Sequence, residues 1–293
     1  MNDPLVSVYV TSYNHEKYIE ESILSVVNQS YKNIQLIVID DGSTDGSREI
    51  LENLRQKYNF FLEFQPNQGV PKTMNKIIGY AKGKYLTGVA SDDVWVEGRL
   101  EKQVKFMESH PEVAVVVGKV RYIDENSNIL ENFTIFTPIL QPESDLSFES
   151  LIENNCIPAG ATMMRRSVIE KQGGYNENTP IEDWDMWLKI AYNEKIAYMD
   201  EDLCYYRRHE ANVSNNILKM YVEAWKVVNS WKDKMTPQLA RKVLSRRDSL
   251  TFCVLARNHK KESLRYLHFP VTYVDGFMVK NFIKGFIKLL FCR

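Results

Sequence analysis

The sequence predicts an α/β protein: a mostly parallel sheet flanked by helices, followed by a helical C-terminal extension. Three observations carry this expectation. Short apolar, β-branched runs alternate with stretches of helical spacing from residue 5 to residue 89, the pattern of repeated strand–helix units. Three of those runs end in polar turns, at the edge where a parallel sheet presents its ligand crevice. The 293 residues are 44% hydrophobic and 12% aromatic, enough for a large core and too rich in aromatics for a disordered chain.

The elements follow in order. Leu5–Val10 (LVSVYV) reads as a buried strand, and Thr11–Asn14 as a polar turn. Tyr18–Gln29 has helical spacing at Ile19, Ile23, Val26 and Val27. Ile34–Ile39 (IQLIVI) is a second strand. It ends on Asp40–Asp45, which caps a helix over Gly46–Lys57. Phe60–Gln65 is a third strand, Gly69–Lys82 a third helix, and Lys84–Val89 a fourth strand that ends on Ser91-Asp92-Asp93. Right-handed crossovers bring the turns after the first, second and fourth strands to one rim. Beyond them, Ala114–Ile123 and Ala161–Arg165 read as strands, residues 126–160 as irregular, and Trp184–Tyr192 as a helix. From Leu218 the pattern is helical and basic, which places a domain boundary near 215: 1–215, then 216–293.

Charge and cysteine usage narrow the class. The net charge of −1 argues against a general nucleic-acid binder. It hides an asymmetry: residues 236–293 carry 12 Lys/Arg against 3 Asp/Glu, and the remainder 25 against 35. A basic end on an acidic body points to an anionic partner. Cys156, Cys204, Cys253 and Cys292 show no C-x-x-C spacing and are too sparse for a disulfide scaffold. Reduced thiols in a cytosolic protein are expected. The start, MNDPLVSVYV, has no basic n-region followed by an apolar stretch, so no signal peptide is expected. No run approaches 18 apolar residues, so no spanning helix is expected either.

Asp40, Asp41, Asp92 and Asp93 are acidic pairs at strand ends. Asp caps helices and shapes turns, and that role competes with a chemical one. Two pairs on one rim repel, and a hard divalent cation is their natural neutraliser. Such an ion commonly also holds a diphosphate. There is no G-x-x-x-x-G-K-[ST], and Thr-Ser-Tyr-Asn stands where a G-x-G-x-x-G would follow the first strand. A nucleotide carried on a metal-bound diphosphate therefore fits better than a dinucleotide oxidoreductase. A phospho-acceptor receiver domain fails on length and on the further acidic clusters.

Five segments occur in order: VSVYVTSYNHEKYIEESILSVVNQSY, LIVIDDGSTDGS, AKGKYLTGVASDDVW, IEDWDMW and YRRHEANVS. Together they resemble a family 2 glycosyltransferase of the GT-A fold, an inverting nucleotide-sugar enzyme, over roughly residues 4–215. The resemblance implies that Thr11 and Tyr13 line the nucleobase and that Asp41 accepts a hydrogen bond from a uracil N–H. It implies Asp92 for the ribose, and Asp93 and His209 for a divalent metal, Mn²⁺ or Mg²⁺. Many members read D-x-D-D where this chain has Ala90-Ser91-Asp92-Asp93, so the first carboxylate is absent and the ion's ligand is left open. Asp183 is the implied catalytic base, with Glu182 and Asp185 next. Asp45 is expected to cap, and Arg207 to anchor a loop. Trp95 and Trp184 stand open between sugar stacking and the core.

The implied activity is inverting, metal-dependent transfer of a hexosyl or N-acetylhexosaminyl group. A UDP-sugar is the expected donor. The acceptor would be a hydroxyl of a glycan or lipid-linked saccharide, in surface polysaccharide or glycolipid synthesis. The alternative is a catalytically silent nucleotide-sugar or membrane-surface binding module. Ala90 favours it and the intact Asp183 region opposes it. The resemblance also implies a cytoplasmic protein working at the inner face of the cell membrane.

The tail, GFMVKNFIKGFIKLLFCR, spans residues 276–293. Lys280, Lys284 and Lys288 recur every four residues and share a helical face, and Phe282, Ile283, Phe286, Ile287, Leu290 and Phe291 crowd the rest. This is the pattern of a basic amphipathic helix suited to an anionic bilayer. Docking on the body, or on another subunit, is the competing role.

Overall fold

Val6–Ser12 forms β1, the strand on which the site is built. Val6, Val8 and Val10 point to one face and are fully buried, while Tyr9 and Thr11 are half-buried on the other, as the two-residue period of a strand requires. The chain is seen in a computed structural model that describes residues 3–131, 146–179, 181–256, 259–266 and 276–291. Its contacts divide into two units, Met1–His209 and Glu210–Arg293.

In the first unit, β1 is followed by α1 (Ile19–Val27), β2 (Ile34–Asp40), α2 (Ser47–Tyr58), β3 (Phe61–Phe64), α3 (Val70–Tyr80) and β4 (Tyr85–Ala90). Then come β5 (Val94–Trp95), α4 (Arg99–Ser109), β6 (Val113–Ile123), α5 (Phe148–Glu153), β7 (Thr162–Arg165), α6 (Arg166–Lys171), α7 (Glu182–Ala191) and β8 (Lys195–Arg207). One eight-stranded sheet takes the order β3-β2-β1-β4-β7-β6-β8-β5. β3, β2, β1 and β4 run parallel, β7 pairs antiparallel with both β4 and β6, and β8 runs parallel to β6.

The register sets the rim. Ser12 lies opposite Asp40, and Thr11 opposite both Ile39 and Ala90. The three polar turns therefore leave the sheet level with one another. Gly88 is required by a close approach: a Cβ there would collide with the Tyr9 ring, which lies flat across β4.

Several elements depart from the sequence expectation. β8 runs 13 residues where no strand was expected, because Asp200-Glu201-Asp202 interrupts its alternation. Register shifts beside Lys119 absorb the break, and Lys119 Nζ pairs with Asp200 at 2.9 Å. α4 was also passed over, although Leu100, Gln103, Val104 and Met107 give it a buried helical stripe. Within the stretch read as irregular, Phe148–Glu153 is helical, and Ser147 Oγ caps it by accepting from the Ser150 N–H at 3.3 Å. Pro138 and Pro142 of that stretch, with residues 132–145, lie outside the described residues, as do Pro180 and Cys292.

The second unit holds α8 (Ile217–Ser230), α9 (Pro237–Leu255), a short α10 (Lys260–Ser263) and α11 (Gly276–Phe291). Phe252 and Ala256 of the α9 end pack with Met278 and Phe282 of α11. Among the described residues no helix is long and apolar enough to cross a membrane.

Candidate active site

The turns at the rim are stitched to one another by side chains. Asn14, with φ of 54°, donates its N–H to Ser43 Oγ at 2.8 Å, and its Oδ1 accepts from the Thr44 N–H at 2.8 Å. The His15 N–H donates to Ser47 Oγ at 3.1 Å. Asp45 stands one residue before the Gly46 N-cap of α2 and accepts from the Ser47 N–H and the Glu16 N–H, both at 3.0 Å. Asp40 is fully buried and accepts from the Ser43 N–H and from Arg48 Nε, both at 3.0 Å. Gly42 sits between them at φ +89°, with its Cβ position 2.6 Å from Asn67 N. Only glycine fits both constraints. Asp41 accepts from Gln65 Nε2, the Gln68 N–H and the Gly69 N–H, each at 2.8 Å. It thereby ties the loop before α3 to the end of β2.

The donor cluster lies where β1, β4 and β8 end. His15, Asp92 and His209 each offer one ligand atom, and these atoms lie within 4.8 Å of one another. His209 Nε2 is 3.0 Å from Asp92 Oδ2, and His15 Nε2 is 3.8 Å from the same oxygen. His15 Nδ1 shares a hydrogen bond of 2.7 Å with Ser91 Oγ. When Nδ1 donates there, Nε2 keeps its lone pair toward Asp92, the arrangement that orients an imidazole as a metal ligand. Two donors each ~2.1 Å from one octahedral ion lie ~3 Å apart, and the Asp92–His209 separation meets that spacing. Two imidazoles and one carboxylate thus fit a divalent cation and leave coordination positions for diphosphate oxygens. Burial drives the Asp92 carboxyl upward, but the His209 hydrogen bond and the nearby His15 outweigh it and hold it below the ordinary value. Burial lowers His15, against the pull of Asp92.

Asp93 stands beside this cluster and is not one of its three members. Its Oδ1 accepts the Arg207 N–H at 2.9 Å, and its Oδ2 lies 3.6 Å from the Cβ position of Gly160. Burial, then the charge of Asp92, pushes its carboxyl well up. Arg207 is the expected anchor. It is 1% exposed and donates to the Asp92 carbonyl at 2.8 Å, the Asp124 carbonyl at 3.1 Å, Ser127 Oγ at 2.9 Å and Glu21 Oε2 at 2.5 Å.

The first turn of α7 carries Glu182 and Asp183, both half-buried. Asp183 Oδ1 accepts from the Trp184 N–H at 2.7 Å. Burial raises the Asp183 carboxyl, and hydrogen bonds from Trp184 and Asn155 counter part of that rise. Burial, then the charge of Asp183, pushes Glu182 to about 8. Both charges are felt by the Tyr9 and Tyr175 hydroxyls, which bond to each other. Neither carboxyl is a member of the His15–Asp92–His209 group. Asp185 is buried and pairs with Lys189 at 3.2 Å.

A carboxyl raised on folding favours the folded state below its free pKa and loses that advantage as pH climbs through its folded pKa. For Glu182 the window runs from 4.5 to about 8. Glu182→Gln should therefore melt above the parent protein by a margin that widens from pH 5 to pH 8. Each ~1 kcal/mol of relief corresponds to about 2–4 °C. A pH-independent difference in differential scanning fluorimetry, in metal-free buffer, would show that Glu182 is not held protonated.

Among the other expected residues, Thr11 is half-buried at the rim and Tyr13 is 48% exposed. Trp95 and Trp184 resolve to the core. Each is at most 3% exposed; the Trp95 indole donates to the Gly88 carbonyl under the Arg99 guanidinium, and the Trp184 indole donates to the Leu151 carbonyl. Neither ring is placed to stack on a sugar. His15 is the residue the sequence reading missed. Its neighbourhood, directly after the Thr-Ser-Tyr-Asn turn assigned to the crevice, was a hint, but its partners Ser91 and Asp92 are distant in sequence.

A family model described as Glycosyl transferase family 2 matches residues 7–173. An uncharacterized glycosyltransferase of Methanocaldococcus jannaschii is 32% identical, over 80% of this chain and 82% of its own. The putative teichuronic acid biosynthesis glycosyltransferase TuaG of Bacillus subtilis is 31% identical, over 76% and 86%. Among solved structures, S. aureus TarS 1–349 in complex with UDP-GlcNAc superposes with a TM-score of 0.61 at 18% identity, over 89% of this chain and 88% of that one. The mannosyltransferase PcManGT from Pyrobaculum calidifontis, in complex with GDP-Man and Mn²⁺, gives 0.61 at 15%, over 99% and 88%. The sheet and its helices have the GT-A architecture of these enzymes.

Proposed function

Because the chain belongs to glycosyl transferase family 2, we propose that it is an inverting glycosyltransferase that takes a hexosyl or N-acetylhexosaminyl group from a UDP-sugar. The observation that carries the reading is the convergence of His15, Asp92 and His209 at the ends of three strands, on the rim that also bears Tyr13 and Asp41. Tyr13 offers the base a ring face. An ionised carboxylate has about four acceptor positions. Three donors occupy Asp41, which leaves one position for a uracil N–H. Asp92 and His209, with His15, would hold the divalent cation. When bound, that ion offsets the charge that gathers on the departing diphosphate.

Transfer is a single displacement at the anomeric carbon. The acceptor oxygen bonds to that carbon as the bond to the diphosphate oxygen breaks, and the acceptor's proton passes to Asp183. A half-buried carboxylate with a raised pKa is a stronger base than a fully solvated one and suits that step. The acceptor is a hydroxyl of a glycan or lipid-linked saccharide. The likeness to TuaG, a putative teichuronic acid biosynthesis glycosyltransferase, supports a surface-polysaccharide setting. The GDP-Man complex of PcManGT makes guanosine diphosphate the nucleotide to test against uridine diphosphate.

The test is a thermal-shift and turnover panel of UDP- and GDP-sugars, with and without Mn²⁺. A UDP-sugar should raise Tm more when Mn²⁺ is present, since a ligand specific to the folded state stabilises it, and nucleoside diphosphate should be released. Binding without release, even with acceptor mixtures, would favour the silent binding module. No shift with any nucleotide sugar would refute both.

A further inference from the structure

We propose that the outward half of α11 is a docking surface for an anionic lipid bilayer. The helix has two sides of different character. Met278 and Phe282 are buried, at 1% and 5% exposure, and the rings of Phe282 and Phe286 lie 5.7 and 5.3 Å from that of Phe252 on α9. Gly285 faces the same ring, where a Cβ would collide. The inward stripe is therefore used by α9. Lys288 also turns inward: its Nζ donates to the Cys253 carbonyl at 3.2 Å. It does not join the outward basic row that a spacing of four residues predicted.

What remains outside is specific. Val279, Ile283 and Ile287 are 43%, 54% and 52% exposed, and their spacing of four aligns them as one apolar strip. Lys280 and Lys284, both exposed, form a parallel strip beside it. An apolar strip edged by lysines on an in-plane helix fits the boundary between acyl chains and anionic headgroups. A second copy of the chain fits poorly. α11 contains no Asp or Glu, so a two-fold pairing of this face would set lysines against lysines with no counter-charge. A nucleic acid would use the lysines and leave the isoleucines in water.

The experiment is co-sedimentation of the full chain with vesicles of phosphatidylcholine alone or phosphatidylcholine with phosphatidylglycerol, at low and high salt. Binding is expected on the anionic vesicles only, and it should weaken as salt rises. Ile283→Glu/Ile287→Glu and Lys280→Gln/Lys284→Gln should each reduce partitioning about tenfold or more, since each lysine alone contributes about fivefold. Both pairs are exposed, so their melting temperatures should stay near the parent's. Lys288→Gln should leave partitioning within about twofold while lowering Tm. Absence of binding to anionic vesicles overturns the proposal. So does unchanged partitioning of the Ile283/Ile287 variant, or a change in its oligomeric state without vesicle binding.

Discussion

Asp183→Asn should lower the rate of sugar transfer by about 10²–10⁴-fold, the range that general-base catalysis supplies. The Kd for a nucleoside diphosphate should stay within about twofold. The expectation rests on the contacts of the first turn of α7. Asp183 is held by the Trp184 N–H and Asn155, and burial raises its proton affinity. Asparagine preserves the shape and the hydrogen bond from Trp184 but cannot take a proton. Because Asp183 is not one of the three grouped donors His15, Asp92 and His209, nucleotide binding should survive the change. Glu182→Gln should do less harm to the rate. Asp183 ionises first, while burial and the Asp183 charge hold the Glu182 proton to about 8, so exchanging that neutral carboxyl for an amide should leave the rising limb of kcat/KM in place. Asp185→Asn should leave the limb in place, since Asp185 is buried with Lys189. The decisive measurement is single-turnover transfer beside nucleotide affinity by calorimetry. Full transfer activity in Asp183→Asn, with Glu182→Gln inactive, would move the base by one residue; full activity in both would remove α7 from the chemistry.

How much of this was legible in the sequence depends on range. The parallel half of the sheet was readable because its strands are short, mostly apolar runs, and in β2 the run Leu36–Ile39 is unbroken and buried on both faces. The rim followed from those strands by topology alone. β8 was not readable, because Asp200-Glu201-Asp202 reads as a turn until its partner is known. Lys119 is that partner, 81 positions away, and no local pattern names it. The site shows the same division. The acidic turns stood out from their own segments, and His209 from its place in the ordered set of five segments. His15 gains significance only from Ser91 at 2.7 Å and Asp92 at 3.8 Å, contacts made across 76 and 77 positions. The tryptophans were ambiguous for the same reason. Whether an aromatic ring faces a sugar or the core is decided by packing partners such as Arg99 over Trp95, and periodicity does not name them.

Asp92→Asn should weaken Mn²⁺ binding in the presence of nucleoside diphosphate by about 10²-fold or more, and Asp93→Asn should weaken it less. The two aspartates are adjacent, and the family resemblance gave the metal to the second. The geometry favours the first. Asp92 Oδ2 lies 3.0 Å from His209 Nε2 and 3.8 Å from His15 Nε2, whereas Asp93 is committed to the Arg207 N–H. Removing a negatively charged oxygen from a three-donor set takes both charge and a ligand from the ion. Removing a carboxylate outside that set changes mainly how the β8 end is held, an effect of the 10–100-fold kind seen for outer partners at most. His209→Ala should match Asp92→Asn. His15→Gln should cost about tenfold, and His15→Ala no less. The His15 result bears on Ala90: the family resemblance leaves a methyl group here where a first carboxylate is expected, and a loss of affinity in the His15 variants would mark the imidazole as a donor offered by the β1–α1 turn instead. Mn²⁺ electron paramagnetic resonance titration, with melting temperature as the fold control, reads these affinities without any turnover. Should Asp93→Asn abolish binding while Asp92→Asn retains it, the ion belongs to the second aspartate. The His15–Asp92–His209 group would then be a hydrogen-bond network that positions the ribose.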